Sequence, residues 1–173
     1  MRAKLFKMLC GGDLHSIGKA NLIADEITNQ DDFDVLFEYL YSDNRLIVMR
    51  VADAIEKITV ESHEFLYVHK SEIFEFCKNA DNIEFRWHLA LLLPRLSLSA
   101  DEFAYVWELL SSWLHDPAES RIVRVNSIQA LFELSQQDLT TKEKLYGIMN
   151  EMEQEKIPSL LARIRKIRRK ERL

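Results

Sequence analysis

The chain is poor in the residues that interrupt helices. Four glycines and three prolines occur among 173 residues, too few to supply the turns of an all-β sandwich or barrel, and that scarcity suits long helices. Cysteine is scarce too. Cys10 and Cys77 share no metal-ligand spacing, and two thiols in a chain of this size are no secreted disulfide framework, so both read as reduced in a cytoplasmic protein. No stretch approaches 18 apolar residues, which excludes a membrane-spanning helix. Lys4 and Lys7 break the start of the chain, where a signal peptide needs an unbroken apolar run.

Chemistry-bearing motifs are missing as well. There is no Gly-x-Ser-x-Gly elbow and no phosphate loop. His63 and His69 are six apart, on different faces of a helix, unlike the i, i+4 pair of a zinc protease. Cys77, with Phe74 and Phe76 close by, reads as a small core hydrophobe, not an activated thiol. Gly11-Gly12-Asp13 fits a chain break followed by a helix N-cap better than an anion cradle. The expectation is a non-enzymatic protein with no catalytic residue, no cofactor and no metal.

What is present is an ordinary globular balance, 47% hydrophobic and 29% charged, in one domain spanning 1–173 and long enough to bury a core. The net charge of −5 argues against generic polyanion binding. That average conceals an asymmetry. Residues 156–173 hold eight Lys/Arg and one acid, whereas the rest holds 15 basic and 27 acidic residues. A net +7 end on a −12 body is the pattern of an interaction tail or an intramolecular clamp.

A short phrase recurs every 38 residues: Ala54-Ile55 with Ile58, Leu92-Leu93 with Leu96, Ala130-Leu131 with Leu134. Ile47, Phe85 and Val123 precede the three copies at the same interval. A period of roughly 20–50 residues marks stacked repeats, and paired helices near 40 residues are the HEAT and armadillo class. The predicted fold is therefore all-α, a right-handed α-α superhelix of about four helix pairs. Helices are expected from Asp13 or Ser16 to about 28, then near 31–41, 43–58, 62–79, 82–97, 100–115, 119–136 and 141–155, with a basic C-terminal capping helix at 156–173. Ser99 with Glu102 and Thr140 with Glu143 each form a Ser/Thr-x-x-Glu capping box, and Pro158 suits a first helical turn.

The second helix of each pair places three polar rows beside its apolar stripe: Arg50, His88 and Asn126; Asp53, Leu91 and Gln129; Lys57, Arg95 and Glu133. In stacked repeats such rows face the concave surface. With Trp87, a residue type enriched at binding hot spots, they give the candidate partner-binding face: Arg50, Asp53, Lys57, Trp87, His88, Arg95, Asn126 and Gln129. The alternative use of Arg86 and Trp87 is packing, with Arg86 tying a loop carbonyl or an acid of the next repeat.

Several segments together resemble a family of short stand-alone bacterial HEAT-repeat proteins. They are Gly11-Gly12-Asp13 with Ser16-Ile17-Gly18, Val48 to Lys57, Phe85-Arg86-Trp87-His88-Leu89-Ala90, and Leu93-Pro94-Arg95-Leu96. The resemblance implies an ARM-like α-solenoid and no reaction. HEAT-like repeats also serve DNA glycosylases for alkylated bases, so nucleic-acid binding through the basic end is the alternative to a protein-binding scaffold.

That end is the last element. Ile157, Leu160, Leu161, Ile164 and Ile167 form a docking stripe, expected to cover Leu145, Ile148 and Met152. Arg163, Arg165, Arg168, Arg169 and Arg172 are the candidate basic tail. Three uses are open to it: a cap favoured by the helix dipole, a track for an acidic protein or a nucleic acid, and, less well, a membrane surface.

Overall fold

Low glycine and proline content has the expected result. The computed structural model describes residues 2–10, 17–80 and 82–171, and these form α-helices and short 3₁₀ turns with no strand among them. The α-helices are α1 (Arg2–Cys10), α2 (Ile17–Glu26), α3 (Gln30–Phe37), α4 (Arg45–Ile58), α5 (Lys70–Asn79), α6 (Ile83–Leu92), α7 (Ala100–His115), α8 (Arg121–Gln137), α9 (Lys142–Gln154) and α10 (Pro158–Glu171). None is long and apolar enough to cross a membrane.

The 38-residue period is visible in how the helices start. Asn44, Asn82 and Ser120 are the N-caps of α4, α6 and α8, and their side chains accept from the backbone N–H of Leu46, Phe85 and Val123. Each cap satisfies a donor that the first helical turn otherwise leaves open. Pro158, one more period on, opens α10. Every member of the recurring phrase is buried, from Ala54 and Ile55 to Leu131 and Leu134, and so are Ile47, Phe85 and Val123. The repeat in sequence is thus a repeat in burial.

The chain divides into two compact units, Met1–Ser97 and Leu98–Leu173. In the first, α4 packs against α2, α6 and α1, with Val51, Ile55 and Leu89 fully buried. In the second, α8 packs against α7, α9 and α10, around Leu110, Leu114 and Ile128. Leu160, Ile164 and Ile167 of α10 are buried, as are Leu145, Met149 and Met152 of α9. Burial of each aliphatic side chain contributes about 1.5–3 kcal/mol, so the α10 stripe matters against a domain's whole stability of ~5–15 kcal/mol.

Several boundaries differ from expectation. Residues 2–10 form a helix that the sequence reading did not assign, and Leu5 and Leu9 anchor it with no exposure. Segment 63–69 is 3₁₀, and α5 begins only at Lys70. His69, at the junction, stacks on Phe37 with ring centroids 3.9 Å apart. The Ser99–Glu102 box forms in full. Thr140 caps nothing: Asp138 accepts from the Thr140 N–H and hydroxyl instead, opening a 3₁₀ turn before α9. Met149, not Ile148, is the buried residue of that α9 turn. Gly11, Gly12, Asp13 and Ser16 lie outside the described residues, as does Arg172.

Between α9 and α10, Lys156 takes φ = 55°. A left-handed residue just past a helix end turns the chain sharply, and a lysine there accepts a conformation that glycine adopts more readily.

Candidate functional site

The expected polar rows split by burial. On α4, Arg50 is buried and donates to the Leu9 carbonyl of α1. On α6, His88 is also buried, and its Nδ1 lies 2.7 Å from Glu56 Oε2. Arg95 Nη1 donates to the Glu56 carbonyl at 2.6 Å and to Thr59 Oγ1 at 2.8 Å, binding the turn after α6 to the end of α4. Lys57 and Asp53 pair with each other at 2.7 Å along α4. Arg50, His88 and Arg95 thus hold one helix to the next. Trp87 is half-buried, and Arg86 donates to the carbonyl of Ala80, the C-cap of α5, which is the loop tie named as its packing use.

Arg86 has a counterpart 38 residues on. Arg124 is buried; its Nε donates to the Leu114 carbonyl at 2.6 Å, and its Nη2 meets both Glu155 oxygens at 2.6 and 2.8 Å. In each unit an arginine near the start of one helix therefore closes the end of the helix before it, where carbonyls lack intrahelical partners.

Glu56 is the residue that sequence reasoning missed. Burial pushes its carboxyl up, but the His88 hydrogen bond and the charges of His88, Arg95 and Lys57 overcome that and hold it below its ordinary value. Asp53, Glu56 and His88 bring one ligand atom each within 4.8 Å of one another, a donor set that hard or borderline divalent ions accept. Lys57 already pairs with Asp53, and His88 already bonds Glu56. A divalent ion would have to displace both.

A second cluster was also missed. His69 places Nε2 2.8 Å from Asp34 and Nδ1 2.8 Å from Glu72. Burial pushes both carboxyls up, but their hydrogen bonds, from Gln30 and His69 to Asp34 and from Tyr41 and His69 to Glu72, together with the charge of His69, outweigh it and hold both below their ordinary values. The i, i+3 spacing of His69 and Glu72 is a weak sign in sequence, but Asp34 lies 35 residues away. Cys77 is buried, and burial pushes its thiol up to about 12, the opposite of an activated nucleophile.

In the second unit, Asn126 is buried and Gln129 half-buried. Gln129 donates to Glu133 at 2.8 Å and accepts from Arg163 Nη1 at 2.9 Å, which ties α10 to α8. Arg168 reaches Asn150 at 2.7 Å and Glu153 at 3.1 Å on α9. Glu171, the one acid of the basic end, is turned inward, where it meets Tyr146, Gln136 and Lys142.

The outward face of α10 is different. Arg165, Lys166, Arg169 and Lys170 are exposed. Only Arg165 makes a hydrogen bond, to its own helix at the Leu161 carbonyl, and none of the four meets a carboxylate among the described residues. Positions i, i+1, i+4 and i+5 share one side of a helix, so four positive charges stand together in water.

No protein-family model matches the chain, and neither a curated protein nor a solved structure matches it significantly.

Proposed function

We propose that the chain is a non-enzymatic binding module, a small HEAT-like solenoid of cytoplasmic setting, that recognises an acidic segment of a partner protein through the outward face of α10. One observation carries this reading: Arg165, Lys166, Arg169 and Lys170 are grouped, exposed and without carboxylate partners among the described residues, while Arg163, Arg168 and Glu171 of the same helix are tied inward. Like charges clustered on a helix repel one another, so the arrangement gains when an anionic surface neutralises it. The N-caps and buried phrases recurring every 38 residues support the solenoid reading. The buried state of Arg50, His88 and Asn126 moves the recognition surface away from the polar rows of α4 and α6.

A short acidic segment is favoured over nucleic acid because it can lie on this one helix face, whereas a duplex extends over the remainder of the chain, whose −12 charge repels its phosphate backbone. The test is affinity purification from the source cell with the native chain and with Arg165, Lys166, Arg169 and Lys170 all changed to Gln. Loss of partners rich in acidic segments is the expected result. An unchanged partner set refutes the reading, and retention of duplex DNA in place of proteins transfers it to nucleic acid.

A further inference from the structure

One groove in the second unit has an apolar floor and a rim of a single charge sign. It lies where α8 and α10 begin, has a volume of about 520 Å³, and is lined by Arg121, Ile122, Val125, Asn126, Pro158, Ser159 and Arg163. That volume is in the range of small-ligand and side-chain pockets. Ile122 is 42% exposed, a large aliphatic group left facing water in the groove. Two clefts of the first unit differ: one carries Asp43 beside Arg45, and another Asp25 and Glu61 beside Lys57. In the second-unit groove both charged residues are arginines.

From this geometry we infer that the groove seats an acidic–apolar segment of a partner protein, one aliphatic or aromatic side chain lying on Ile122, Val125 and Pro158 while flanking carboxylates meet Arg121 and Arg163. The inference rests on the protein-binding reading of α10 and specifies what its partner looks like. Charge complementarity selects the occupant. Arg121 is exposed and makes no hydrogen bond or ion pair among the described residues. Arg163 is held by Gln129 through one Nη, which fixes its direction and leaves its other donors for a second acceptor.

The acids nearest in sequence are already engaged: Glu119 accepts from the Ser120 N–H, and Glu155 holds Arg124. Neither α8 nor α10 has an acidic residue in its first turn, so the positive ends of both helix dipoles add to what the two arginines supply. Ser159, Arg163, Lys166 and Lys170 follow i, i+4, i+7, i+11, one stripe of a helix. A chain seated in the groove with further acids therefore runs on along the exposed face of α10.

The test uses the full chain and three fluorescein-labelled hexapeptides in equilibrium anisotropy titrations. The first is Asp-Glu-Leu-Phe-Glu-Asp, the second Asp-Glu-Gly-Ser-Glu-Asp with the same charge, the third Asn-Gln-Leu-Phe-Gln-Asn with the same apolar pair. The first should bind roughly tenfold or more tighter than either of the others, since each lacks one half of the match. Ile122→Ser should bring the first peptide down to the level of the second. Arg121→Glu with Arg163→Glu should weaken it by roughly tenfold or more, and Arg121→Lys alone, which keeps the charge and leaves the bond of Arg163 to Gln129 in place, should keep most of the affinity. Ile122→Ser alters an exposed residue, so a fold defect in the double Glu variant, seen as lost helicity, leaves one variant to decide.

Equal binding of the first two peptides overturns the groove and leaves the electrostatic reading of α10 standing. Binding of none of the three at millimolar concentration also overturns the groove, whereas an unchanged partner set in the purification overturns the α10 reading itself.

Discussion

Along α4, α6 and the turn after α6, all but one of the cations serve as ties: Arg50 holds Leu9, Arg86 holds Ala80, Arg95 holds Glu56 and Thr59, and Lys57 pairs with Asp53, while the exposed Arg45 meets Glu84 at the surface. Along α10, the corresponding wealth of positive charge divides by face. Arg163 and Arg168 reach Gln129, Asn150 and Glu153, while Arg165, Lys166, Arg169 and Lys170 meet water. The contrast shows that the same side chain serves as a tie or as a surface according to its phase on the helix and to what stands opposite. Guanidinium groups suit the first use because they satisfy several carbonyls at once. They suit the second because they cannot lose their charge.

The comparison breaks most easily at the apolar stripe of α10. Leu160→Ala or Ile164→Ala should each lower the unfolding free energy by about 2–5 kcal/mol, read by urea denaturation, because both are fully buried. Next comes the inward cation of the second unit. Arg124→Ala leaves the Leu114 carbonyl and Glu155 without their donor, and a loss of about 2–3 kcal/mol is expected in the same measurement.

A smaller effect depends on pH. Asp34, Glu56 and Glu72, all in the first unit, have folded carboxyl groups below their ordinary values. A depressed carboxyl stabilises the fold above its unfolded pKa, near 4.5 for Glu56 and Glu72 and 3.8 for Asp34, and that stability is lost as pH falls through the folded value. Hydrogen exchange should therefore show α4 and α6 loosening below pH 4.5. In the second unit Glu171, which its bonds to Tyr146, Gln136 and Lys142 also hold below its ordinary value, ties the last turn of α10. That turn should loosen as well, while the interior of α8 stays protected. Glu56→Gln should flatten that pH response in α4 and α6. Loosening of the interior of α8 to the same extent would show that the ion pairs of the first unit do not set its acid sensitivity.

The sequence makes the buried phrase legible because it follows from periodicity: positions 38 residues apart take the same place in successive helices. The caps Asn44, Asn82 and Ser120 share that interval, but the apolar phrase alone does not point to them. Nor does the sequence make Glu56 legible. Its partners His88 and Arg95 stand 32 and 39 residues away, and helical phase says nothing of which acid faces which base across two helices. Arg50 and His88 belong to a polar row by angle, yet both are buried, since polarity is compatible with burial wherever a partner is in reach. Helix α1 was missed because Lys4 and Lys7 break its apolar pattern, although Leu5 and Leu9, at i and i+4, are what it buries. On α10 the pattern sufficed for Leu160, Ile164 and Ile167, but the division of its cations into inward and outward sets required the positions of Gln129, Asn150 and Glu153.

The central claim is that the outward cations of α10 are not needed for folding. The direct measurement is the unfolding free energy of the variant with Arg165, Lys166, Arg169 and Lys170 all changed to Gln, beside the unaltered chain in the same urea titration. Exposed charges contribute ~0–1 kcal/mol each, and Arg169 and Lys170 also favour the C-terminal end of the helix dipole; relief of repulsion among the four offsets part of this. The account predicts a change of about 1 kcal/mol or less. A loss of about 3 kcal/mol or more, on the scale of a buried aliphatic side chain, would show that these cations hold α10 in place, and the recognition reading would lose its basis.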